Sequence, residues 1–187
     1  MKTKSPTTDD LLRALTDEQA REIVRRLAAE KGVIAEKVAA TVREVVAAVE
    51  IEAVADEVFC ALDLIDVQDC WDRAGESRDG YTSPDEAAME LVEEELQPFF
   101  EQVDRYHNLH MANQQRDYCM AVMLGLYRYA QESESEFKDW CDDMPLERAR
   151  YLLDRWRKRI AAPASRAAMD RFIRQCCPAW KTCLLLR

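Results

Sequence analysis

The stretch Ser83-Pro-Asp-Glu86-Ala-Ala-Met-Glu-Leu-Val-Glu-Glu-Glu-Leu96-Gln-Pro-Phe-Phe-Glu-Gln-Val-Asp-Arg-Tyr106 decides the fold class. Serine at the cap, proline at the first helical position and glutamate three residues after the cap together open a helix. Ala88, Leu91, Val92, Leu96, Phe99, Val103 and Tyr106 then recur at three- and four-residue spacing, which lines them along one side. Pro98 lies inside this segment and predicts a kink near Leu96.

Working outward, the same period recurs. A helix over about Asn113–Ala130 turns Cys119, Val122, Met123 and Leu126 inward, and Gly125 within it marks a close approach by a neighbouring backbone. A short helix near Glu134–Asp142 precedes Pro145. Pro145 opens a helix bearing Leu146, Ala149, Leu152, Leu153, Trp156 and Ile160, and a last helix over about Ser165–Cys177 carries Phe172 and Ile173. The apolar Trp180–Leu186 shows no assignable pattern.

Toward the N-terminus, Thr16-Asp-Glu-Gln19 has the form of a capping box. It predicts a helix to about Lys31 with Ile23, Val24 and Leu27 inward and Gly32 as its stop, after a short lead-in helix over Asp9–Leu15. Residues 34–64 read as helical throughout, either one long helix or two with a break near Glu50–Glu52. Val67–Ala74 predicts a short helix ending at Gly75, and Gly75–Thr82 a loop. No segment alternates with period two, so no sheet is expected. The expectation is all-α: about eight to ten helices in antiparallel hairpins, in a bundle or an array of the HEAT or TPR kind. Residues 1–160 form the helical domain, and the basic helix and tail of 161–187 pack on it.

Composition agrees. The 187 residues are 48% hydrophobic and 33% charged, with only four glycines and six prolines. No apolar run is long enough for a membrane span or a signal-peptide core. Seven cysteines, an odd count, suit a reducing compartment, so reduced thiols and a cytoplasmic location are expected. Residues 1–84 carry 11 basic and 18 acidic groups, residues 85–147 carry 4 and 16, and residues 148–187 carry 11 and 2. The basic end therefore follows the most acidic stretch. Apolar anchoring plus opposite charge predicts that it docks on that stretch within the same molecule.

Chemistry-bearing patterns are sparse. Asp104, His107 and His110 share a helix face at three-residue spacing and are the candidate metal ligands, but no second Glu-x-x-His pair accompanies them, and no metal or other cofactor is expected. No glycine-rich phosphate loop, nucleophile elbow or kinase pattern occurs, so the chain is read as non-enzymatic. Charged and aromatic residues gather around the Gly75–Thr82 loop, where Trp71, Asp72, Arg73, Arg78 and Tyr81 are the candidate partner-binding residues. The alternative is that Trp71 and Tyr81 pack the corner while Asp72 and Arg73 pair.

The run Cys70-Trp-Asp-Arg-Ala-Gly75, Gly80-Tyr81, Glu86-Ala-Ala88 and Glu94-Glu-Leu-Gln-Pro-Phe99 resembles an uncharacterised all-helical family. The likeness continues through Gly125-Leu-Tyr-Arg128, Phe137 and Trp140, covering about residues 50–157. Some proteins of that kind also carry a SWIM-type zinc finger, whose Cys-x-Cys and Cys-x-His signature is missing here. The resemblance implies a helical fold and a binding role, and transfers no catalytic residue. The first functional reading is a protein–protein interaction module. The second is a nucleic-acid-associated protein using Arg166, Arg171, Arg174 and Lys181, and the third a metal-dependent enzyme.

Overall fold

The computed structural model describes residues 7–77, 80–160 and 162–185. The all-α class stands: ten α-helices and two short 3₁₀ segments account for nearly every described element. Contacts divide the chain into two units, Met1–Ala48 and Val49–Arg187.

The first unit holds α1 (Thr8–Arg13), α2 (Asp17–Ala29) and α3 (Val33–Ala47). Thr16 caps α2 as its spacing predicts, accepting from the Gln19 N–H while the Gln19 amide oxygen accepts from the Thr16 N–H. The chain turns back at Gly32, whose φ of 83° lies in the left-handed region open to glycine. Helices α2 and α3 pack together as a hairpin. The expected inward stripe is corrected here: none of the three helices buries a residue. Ile23, Val24, Val42 and Val45 face solvent.

The second unit begins with α4 (Ile51–Asp63), so residues 34–64 are two helices, parted at 48–50. It continues with α5 (Val67–Arg73), α6 (Pro84–Asn108) and α7 (Ala112–Glu132), then α8 (Met144–Arg159), α9 (Pro163–Cys176) and α10 (Lys181–Leu185). The core is built around α7, which packs against α4, α6, α8 and α9. Its run from Cys119 to Leu126 is apolar on every side and buried without interruption, which is where a helix hydrophobic all round must sit. Gly125 makes the α4 contact possible. A Cβ there would stand 2.5 Å from the Ala55 carbonyl oxygen and 2.6 Å from the Val58 Cβ.

Helix α6 carries the predicted capping box at Ser83 and Glu86 and runs through Pro98 as one helix. Leu152, Leu153 and Trp156 of α8 and Met169 and Ile173 of α9 close the same core. Ion pairs join α8 to the acidic α6: Arg148 to Glu93, and both Arg155 and Arg159 to Asp104. One expectation fails at the Gly75–Thr82 loop, where an antiparallel hairpin forms between β1 (Gly75–Ser77) and β2 (Gly80–Thr82). Three-residue strands are too short to display an alternating pattern.

Candidate functional site

The residues expected to form a binding corner are spread along α5 and the hairpin. Asp66 caps α5, and Gln68 donates from Nε2 to the Asp72 carboxylate one turn further on, at 2.7 Å. Arg73 does not pair with Asp72. Its guanidinium makes a two-pronged contact with Glu94 of α6, both N···O distances being 2.9 Å. That hydrogen-bonded contact holds the Glu94 carboxyl below its ordinary range.

Trp71 is 53% exposed, with its ring edge-to-face on Trp140 at 5.3 Å. Tyr81 is 67% exposed and borders an open cleft with Asp85, Glu86, Met89 and Glu90. Arg73 thus holds α6 at Glu94 and Tyr81 borders a cleft beside its first turns, while Trp71 is turned toward Trp140. Arg78 lies outside the described residues.

The Asp104, His107 and His110 set does not form a ligand cluster. Asp104 is taken by two guanidiniums, and among the described residues no three His, Cys, Asp or Glu side chains come together to hold a metal. His107 and His110 instead border a small cleft at the α6–α7 turn, with Gln115 and Arg159. His110 sits there with φ of 57°, at the position usually held by glycine in a Schellman cap, while the Met111 N–H donates to the Tyr106 carbonyl at 2.9 Å. Sequence reading passed over Gln115, although it falls in register with the inward Cys119, Val122 and Leu126, where a polar residue is out of place.

All seven thiols are free. Burial pushes the Cys141 thiol up to about 11 and the Cys177 thiol up to about 12. A reactive cysteine needs the opposite shift.

On the C-terminal helices, Arg166 donates to the Ile160 and Arg157 carbonyls and so closes the end of α8. Arg171, Arg174 and Lys181 are exposed. No helix among the described residues is long and apolar enough to cross a membrane.

No protein family, curated protein or solved structure matches the chain.

Proposed function

We propose that this chain is a non-enzymatic protein–protein interaction module whose first unit pairs with the same helices of a second copy. One observation carries the reading: α1, α2 and α3 bury no residue, while Leu11, Ile23, Val24, Ile34, Val42 and Val45 stand exposed on them. Large apolar residues concentrated on the surface of one short segment mark an interaction surface. Helices of 13 and 15 residues are marginal in water without a partner for their apolar face. A unit of this size falls close to the limit below which domains lean on oligomerisation.

Charge favours the same chain as occupant. Residues 1–48 carry 9 basic and 8 acidic groups, whereas residues 49–187 carry 17 and 28. The second unit's excess of negative charge opposes self-contact, and the nearly neutral first unit does not. Two α2–α3 hairpins laid together would make a four-helix arrangement with the valines and isoleucines inside.

Light scattering of the full chain over a wide concentration range tests this. A dimer that becomes monomeric in the double variant Ile23→Asp with Val42→Asp, at unchanged core helicity, is expected. A chain that stays monomeric throughout, or a dimer indifferent to the double variant, overturns the reading. The nucleic-acid alternative draws on the exposed Arg171, Arg174 and Lys181. It would show as duplex or single-strand binding that falls steeply with salt and is lost on deleting residues 161–187.

A further inference from the structure

The second unit holds a cleft unrelated to the apolar helices of the first. It occupies about 190 Å³ at the α6–α7 turn and is bordered by His107, His110, Gln115 and Arg159. We propose that this cleft binds a small oxyanion, the phosphate or carboxylate group of a low-molecular-weight ligand.

Gln115 carries the argument. It is 1% exposed, and its Nε2 has no hydrogen-bond partner. Leaving a buried donor unmade is costly, so such groups are few in native structures and each calls for an explanation. Gln115 is among the residues that border the cleft, so an acceptor seated against it there would answer the donor. The other polar groups at the rim suit the same occupant. Arg159 spends Nη1 on the Asp104 carboxylate at 2.5 Å, and its fork has further N–H groups to offer. Arg155 shares that carboxylate, so Asp104 is divided between two guanidiniums and does not answer Arg159 alone. His107 and His110 lie on the same border, in the last turn of α6 and in the cap beyond it. The cleft is smaller than the pockets that hold drug-sized ligands, which limits the occupant to a compact group.

Inorganic phosphate and acetate are the probes, titrated separately into the full chain at constant ionic strength. The readouts are the Gln115 side-chain amide resonances and the thermal midpoint. A saturable shift of the Gln115 signals with a raised midpoint is expected, from phosphate for a phosphate site and from acetate for a carboxylate site. Gln115→Leu removes the unanswered donor at similar volume, so it should fold at least as stably while binding weakens by about tenfold or more. Arg159→Gln should weaken binding as well, and it reads the site without altering Gln115. Absence of a saturable shift with either anion, the behaviour of a cleft that holds water only, overturns the proposal. So does a response that survives Gln115→Leu unchanged.

Discussion

Gly125 shows how much one missing side chain decides. The α4 backbone lies where a Cβ would go, 2.5 Å from the Ala55 oxygen, and backbone cannot give way as a flexible side chain would. Gly125→Ala should therefore destabilise the protein by about 1–3 kcal/mol in denaturant unfolding, in spite of alanine's better helix propensity. An alanine variant as stable as the parent would contradict the close approach. The buried thiols set a second residue-scale property. An unfolded cysteine loses its proton near its ordinary value of 9.0, whereas folded Cys141 holds it to about 11. Cys177 holds its proton to about 12. Above pH 9 the unfolded chain then binds fewer protons than the folded one, so stability falls as pH rises. The contribution is whole below pH 9 and is lost between pH 9 and about 11–12. Each such thiol costs about 1.4 kcal/mol per pH unit across its window. Denaturant midpoints measured from pH 8 to 11 check this, with Cys141→Ala and Cys177→Ala each flattening the decline. A parent whose midpoint stays level to pH 11 would refute it.

Among the elements, helix starts were the most legible in sequence and the hairpin the least. A capping box is a local exchange of two hydrogen bonds within four residues, so Thr16–Gln19 and Ser83–Glu86 specify it without help from the rest of the chain. Strands β1 and β2 have no such local mark. They form because Gly75 and Gly80 accept φ values of 126° and 133°, and because each strand supplies the other's partner. The contact of α8 with α6 is likewise decided between elements. Asp104 accepts from Arg155 and Arg159, and all three side chains are about 30% exposed, so the group is partly withdrawn from screening water. Asp104→Asn should cost about 1–2 kcal/mol, since it leaves two half-buried guanidiniums facing each other. The double variant with Arg155→Gln should recover part of that loss. Additive losses in the double-mutant cycle would show the two residues uncoupled.

For the whole molecule, the two units should differ in local stability. Residues 119–126 are buried without interruption in the second unit, whereas the helices of the first bury nothing. Hydrogen exchange on a dilute sample should find the amides of 17–47 exchanging far faster than those of 119–126, because local opening there exposes little apolar surface. Equal protection in the two regions would contradict the division. The helical class, the caps, and the inward faces of α6, α7 and α8 were already legible in the chain, because propensity, capping and period are properties of a few consecutive residues. It also marked Gly125 as a close approach, since an unexplained glycine in a strong helix needs a packing reason. Which amphipathic faces are covered depends instead on how distant segments pack. Ile23 and Val24 follow the same spacing as Leu152 and Leu153, yet the first pair is exposed and the second is core. Periodicity names the face a helix would bury, and the presence of a second surface decides whether it does. The same holds at the candidate sites: Arg73 found Glu94 rather than Asp72, and the isolated donor of Gln115 shows only once its neighbours are in place.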